Sequence, residues 1–167
     1  MQPELVAALD AMADEMTCCE HLAGLLQEQR QALLARDEAR MMATAEAVVV
    51  HVEQLRGLAP ARQQALAELS AALDLATQGL SLDAIAAALP GPQRQVWFEA
   101  GSRARRVLRR VADLNELNGQ IAQDGLACTQ AELRLLAGDS PEPTPYAAAH
   151  AGGSPRRSIP LVMDRSA

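Results

Sequence analysis

The amino-acid sequence predicts an all-α fold: a long antiparallel helical hairpin or three-helix coiled-coil bundle with a disordered C-terminal tail. The chain contains only one Trp, one Phe and one Tyr, so Leu, Ala, Val and Met must supply most of the buried surface. Most of these residues favour helices, whereas the β-branched and aromatic residues that strands favour are scarce. The apolar residues also recur at intervals of three and four, which is the spacing of one helix face.

The first predicted helix spans residues 3–57. Its apolar face runs through Leu5, Leu9, Met12, Met16, Cys19, Ala23, Leu26 and Leu33. The pattern resumes one residue out of register at Leu34, which we interpret as the drift of a 3.6-residue helix against a strict heptad. Gly57 followed by Pro60 predicts the end of this helix.

Two shorter helices and a second long helix complete the predicted helical bundle, which occupies residues 1–138. The shorter helices are expected at residues 61–78 and 82–89, and the long one at residues 93–137, after the break at Pro90-Gly91-Pro92. The face of this last helix runs through Trp97, Ala100, Ala104, Val107, Val111, Leu114, Asn118, Ile121, Gly125 and Cys128. Because isolated helices are marginal in water, we expect the two long helices to pack antiparallel.

Charge is distributed unevenly along the chain. The net charge is −6, but six of the arginines fall between Arg94 and Arg110, with only Glu99 among them to oppose their charge. Such a cluster suits either an acidic partner, such as nucleic acid, or a neighbouring acidic helix of the same bundle. The acidic character of the whole chain favours the second interpretation, and we expect no nucleic-acid binding.

No sequence feature indicates catalysis, a metal or a cofactor. The three cysteines lack metal or redox spacing and are expected to be reduced thiols: Cys18, Cys19 and Cys128. The three histidines are too scattered for a metal site: His21, His51 and His150. Phosphate-binding glycine loops and nucleophile elbows are absent from the sequence, so we expect no enzyme activity.

The two ends of the chain give an expected location and a flexible segment. Residues 1–10 carry no basic region ahead of an apolar stretch, and no apolar run approaches the ~20 residues of a membrane span. We therefore expect a cytoplasmic protein without membrane insertion. Residues 139–167 are rich in proline and glycine, which predicts a tail that is disordered until a partner binds.

Two residues of the last helix have alternative interpretations. Asn118 stands at an apolar position, where a buried amide commonly fixes helix register. Alternatively, Asn115, Asn118 and Gly119 open a gap where a partner approaches closely. Trp97 is interpreted as a core residue, with a binding anchor as the alternative.

One short element resembles a known family. The stretch Leu114-Asn115-Glu116-Leu117-Asn118-Gly119-Gln120-Ile121 is similar to the L-N-x-x-N-G-x-[LI] element of the FlgN family of flagellar type III export chaperones. Residues 28–37 resemble the family's first-helix stretch, in which an acid precedes two leucines and an Asp follows. The tail contains Tyr146, as in the family, but Ala147 follows it where the family tends to have glycine.

The resemblance implies a chaperone that binds the C-terminal amphipathic segments of hook–filament junction proteins. It would keep them from premature association and bring them to the type III export gate or its ATPase complex, as a monomer or weak homodimer. The client would lie along the last helix in a helix-in-groove arrangement, with the tail closing over it. The residues expected to contact it are Val107, Val111, Leu114, Asn115, Asn118, Gly119, Ile121 and Leu126. The resemblance gives Tyr146 the contact with the export gate.

Two other functions remain open from the residues alone. A structural coiled-coil scaffold or adaptor would bury the same apolar faces against a second copy of the chain. A helical-bundle phosphorelay protein would use His51, which follows the apolar run Val48-Val49-Val50, although the chain contains no lysine to serve as a basic neighbour.

Overall fold

The computed structural model describes residues 2–75 and 81–137, and these form four α-helices: α1 (Pro3–Ala35), α2 (Glu38–Ala72), α3 (Leu82–Ala88) and α4 (Gly91–Leu136). The all-α fold is therefore confirmed, with no strand in either described range. The predicted tail, residues 139–167, lies outside the described residues. None of the helices in those ranges has a stretch long and apolar enough to cross a membrane.

A turn at Arg36 and Asp37 divides the predicted first helix. Arg36 takes the left-handed conformation, with φ 52° and ψ 37°, and its N–H donates to the Leu33 carbonyl at 3.2 Å. The Asp37 N–H donates to the Ala32 carbonyl at 3.0 Å, which completes a Schellman-type helix end. The Asp37 side chain then accepts from the Arg40 N–H at 3.1 Å and caps α2. The prediction of one helix over residues 3–57 is wrong, because the chain reverses here.

Arg36 is a testable feature of this turn, because a side chain with a Cβ is disfavoured in the left-handed conformation. Arg36→Gly is expected to raise the free energy of unfolding by about 1 kcal/mol. The measurement is urea denaturation followed by helical circular dichroism. Arg36→Ala is the matched control: it removes the same long side chain, keeps the Cβ and should show no comparable gain. Equal stability of the two variants would contradict the assigned turn geometry.

The predicted helix stop at Gly57 and Pro60 is also wrong, because α2 continues through both residues to Ala72. A proline inside a helix costs about 3 kcal/mol through its missing N–H and the clash with the preceding turn. Beyond Pro60, however, Ala65 and Leu69 are buried in the core. Burying a leucine side chain contributes about 1.5–3 kcal/mol, so packing of this segment offsets the local cost. The predicted helix at residues 61–78 is thus the second half of α2.

Side-chain contacts define the directions of the three long helices, which form a three-helix bundle in the unit Met1–Asp124. Between α1 and α2, Glu15 pairs with Arg62 at 2.9 Å. Cys18, which follows Glu15 on α1, contacts His51, which precedes Arg62 on α2, so these helices are antiparallel. Between α1 and α4, Arg103 bonds to Glu20 and Arg110 to Gln27, so numbers rise along both helices. Helix α4 therefore runs parallel to α1. The prediction that it packs antiparallel to one continuous first helix is wrong.

The apolar core of this unit lies where the start of α1, the end of α2, α3 and the start of α4 meet. Its buried members are Leu5, Ala8, Met12, Met16, Cys19, Ala65, Leu69, Ile85, Leu89, Trp97 and Ala104. Trp97 is 1% exposed, which confirms its interpretation as a core residue. Its indole Nε1–H donates to the Leu82 carbonyl at 2.9 Å and so ties α3 to α4.

Helix α3 is held at both ends by side chains. Ser81 Oγ accepts from the Ala84 N–H at 3.1 Å, which satisfies one free N–H of the first turn. At the other end the Arg94 guanidinium donates to the carbonyl oxygens of Leu89 and Ala87. A helix of only seven residues needs such contacts, because it is too short to be stable alone.

Candidate partner-binding surface

The residues expected to contact a client divide into two groups by burial. Val107 and Val111 are half-buried and pack against the core of the bundle. Leu114 and Ile121 are half-buried, and Asn115 and Gly119 are exposed. The predicted face of α4 therefore turns partly inward, and only some of its residues are open to a partner.

Asn118 belongs to the inward group. It is 5% exposed, and its Nδ2 donates to the Leu26 carbonyl at 2.8 Å and to Gln29 Oε1 at 3.1 Å. Both acceptors lie on α1, so the amide sets the position of α4 along α1. Its carbonyl Oδ1 is buried and has no hydrogen-bond partner among the described residues. This arrangement supports the register interpretation of Asn118.

Gly119 leaves space on the surface of α4. A Cβ built on this residue meets no heavy atom within 4 Å, so internal packing in the described part of the chain does not require glycine there. Its exposed position beside Asn115 is compatible with close approach of another chain.

The chain divides into two units, Met1–Asp124 and Gly125–Ala167. In the described part of the second unit, residues 125–137, every residue is exposed. Leu126 and Leu133 are each 59% exposed, Leu135 is 64% exposed and Leu136 is 84% exposed. Leu126 and Leu133 are seven residues apart and share a helix face. Of these four leucines only Leu126 was predicted to contact a partner, although the heptad spacing to Leu133 was visible in the sequence. Tyr146, the predicted export-gate contact, lies outside the described residues.

A second surface feature is an open groove on α4 within the first unit. It has a volume of about 360 Å³ and is lined by Arg106, Arg109, Arg110, Asp113, Leu114 and Leu117; we call it the arginine groove. The arginine cluster predicted to pair with acidic helices does so only in part. Arg103 pairs with Glu20 of α1 at 2.9 Å, and Arg94 holds α3, but Arg105, Arg106 and Arg109 are exposed without an ion pair in the described ranges.

Several reactive side chains of the bundle are wholly or partly buried. Cys18 and Cys19 are buried, and burial raises the pKa of the Cys19 thiol to about 11, which keeps it protonated at neutral pH. His51 is half-buried, its Nδ1 lies 3.1 Å from the Ala47 carbonyl oxygen, and the His21 ring stands edge-on 6.3 Å away. Over residues 2–75 and 81–137, no three potential metal ligands come together. The phosphorelay alternative for His51 gains no support from this setting.

Comparison with known proteins gives one match. The family model described as FlgN protein matches residues 1–149, a span that includes all four helices. No curated protein and no solved structure matches the chain.

Proposed function

The chain belongs to the FlgN family, and we propose that it binds the C-terminal amphipathic segments of hook–filament junction proteins and delivers them to the type III export gate or its ATPase complex. A general role as a flagellar export chaperone follows from the family. We also propose that this binding takes place in the cytoplasm and that the free protein is a monomer or weak homodimer.

The exposed leucines of residues 125–137 are the observation that supports client binding most strongly. Four leucines on less than four turns of helix expose more than half of their surface. A surface of this kind is unfavourable in water unless a partner covers it. An amphipathic client helix, whose own apolar face has no partner before assembly, would cover it in a helix-in-groove arrangement.

The client contacts that we propose follow the exposure pattern. Within the first unit they are Leu114, Asn115, Gly119 and Ile121, and within the second they are Leu126, Leu133 and Leu136. Val107, Val111 and Asn118 contribute by holding α4 in place against the bundle. Tyr146 keeps the contact with the export gate, which rests on the family resemblance alone.

A charge placed among these leucines should weaken client binding. Leu133→Glu in the full chain is expected to reduce affinity for the C-terminal segment of a junction protein at least about tenfold, because a carboxylate must be desolvated against the client's apolar face. Affinity is measured by isothermal titration calorimetry with the C-terminal segment of each junction protein. Helical circular dichroism of the free variant verifies that it folds.

Ala131→Glu is the matched control, since it adds the same charge to an exposed position on the opposite face of the same helix. It should bind the client as the unmodified chain does. Equal affinities for the two variants would refute the leucine surface as the client site. The rival function, a dimeric coiled-coil scaffold, predicts instead a stable dimer by light scattering that Leu133→Glu dissociates without any client present.

A further inference from the structure

We propose that the arginine groove receives acidic side chains of the client's amphipathic segment, so that this part of the chaperone selects its client by charge. This inference rests on the proposed function. The arginine groove includes none of the exposed leucines of residues 125–137.

The lining of the arginine groove is complementary to one face of an acidic amphipathic helix. Its residues follow one another along α4 at alternating intervals of three and one, so they lie on one side of the helix. Leu114 and Leu117 are half-buried and offer an apolar surface, while Arg106 and Arg109 are exposed beside them. A partner that fits must therefore carry apolar and acidic groups next to each other.

The arginines of the groove form no ion pair within the described bundle, and three arginines stand against the one carboxylate of Asp113 in the lining. Arg106 and Arg109 form no ion pair there, and Arg110 donates to the neutral side chain of Gln27 at 3.1 Å, so it keeps its charge. Like charges three and four residues apart destabilise a helix by a few tenths of a kcal/mol each. Arg103, one turn earlier on α4, differs from these arginines because its charge is compensated by an ion pair with Glu20 of α1. An acidic partner would supply the same compensation to the groove.

The spacing of these arginines sets the spacing of the client's acids. Arg106 and Arg110 are four residues apart, so they are separated by about 6 Å along α4. Two carboxylates one helical turn apart on the client lie at the same separation and can accept hydrogen bonds from the two guanidinium groups. The client segment should therefore show acids at intervals of three or four beside its apolar stripe.

A peptide fits this groove better than nucleic acid does. Leu114 and Leu117 form the apolar part of the lining, and phosphates would bring nothing apolar to them. An acidic amphipathic helix can turn its carboxylates toward the arginines and its leucines toward the apolar lining.

The test uses two designed probes with the full-length chain. One is an amphipathic helical peptide of about six turns (~21 residues) with a leucine stripe flanked by glutamates one turn apart. The other has lysine in place of each glutamate. The glutamate peptide is expected to bind at least about fivefold more tightly, and its affinity should fall with added salt.

Two charge-reversal variants place the effect in the groove. Arg106→Glu should remove the preference for the glutamate peptide, whereas Arg105→Glu, the same change at an exposed neighbour outside the lining, should preserve it. Equal binding of the two peptides to the unmodified chain, or equal effects of the two variants, would overturn the proposal. Displacement of the glutamate peptide by duplex DNA would also overturn it. So would a change in the molecular mass of the free protein in solution caused only by Arg106→Glu, because a second copy of the chain would then be the occupant.

The outcomes separate this inference from the proposed function. If junction-protein segments bind and Leu133→Glu weakens them while the glutamate and lysine peptides bind alike, charge selection is wrong and the client assignment stands. If the unmodified chain prefers the glutamate peptide but no junction-protein segment binds, the groove recognises acidic helices and the client assignment is wrong.

Discussion

Trp97→Ala is expected to lower the free energy of unfolding by about 3–5 kcal/mol, the range for removing a fully buried large aromatic side chain. Trp97 is 1% exposed and lies in the core with residues of α1, α2 and α3. The substitution leaves a cavity and also leaves the Leu82 carbonyl without the indole donor that ties α3 to α4. Urea denaturation followed by circular dichroism measures the loss.

The neighbouring aromatic residue provides the control for this prediction. Phe98 is 54% exposed, and Phe98→Ala should change the stability by no more than about 0.5 kcal/mol. Trp97→Phe separates the two contributions, because it keeps most of the ring volume and removes the hydrogen bond to Leu82. A Trp97→Ala protein as stable as Phe98→Ala would show that the core is not assembled around this residue.

Asn118→Asp should cost about 3 kcal/mol at neutral pH, although the two side chains have nearly the same shape. The Nδ2 donor that reaches the Leu26 carbonyl at 2.8 Å would be replaced by a carboxylate oxygen facing that carbonyl. Gln29 Oε1, 3.1 Å away, would add a second unfavourable contact unless its amide rotates. A buried, uncompensated charge therefore takes the place of a satisfied donor.

The cost of Asn118→Asp should depend on pH with a definite sign. Burial raises the folded-state pKa of the introduced carboxyl above its ordinary value of about 3.9. The penalty is fully present above that raised pKa and shrinks as the pH falls through it, because the protonated form can donate to Leu26 again. Stability is compared with the unmodified chain at each pH. Asn115→Asp, an exposed position three residues earlier, should show neither the loss nor this pH dependence.

The candidate surface could be predicted from the sequence only in part. The Asn-Asn-Gly element indicated the FlgN family, which the family match confirms, while client binding at this segment of α4 stays a prediction. Periodicity could not separate residues that face the bundle, such as Val107 and Val111, from those open to a partner. Both kinds recur every three or four residues, and which side is covered depends on where the neighbouring helices lie. The arginine groove could not be predicted for the same reason. Arg103 pairs with Glu20 and Arg106 does not, and this difference depends on where α1 lies.

The sequence by itself determined the helical content, the Ser81 cap of α3 and the start of α4 after Pro90, because each depends on interactions within a few residues. It also contained the signal for the turn, since the one-residue change of register at Leu34 precedes the helix end at Ala35.

Only the tertiary structure decided that this change marks a reversal of the chain and not the drift of one long helix. Pairing α1 with α2 helps to bury the apolar face of α1 and half-buries that of α2, which outweighs the cost of about 1 kcal/mol for a left-handed Arg36. The same burial carries α2 through Pro60, against the local preference. It also makes α4 run parallel to α1, because the chain has already reversed once. Local preferences of about 1–3 kcal/mol set the elements, and the larger sum of buried contacts set their ends and directions.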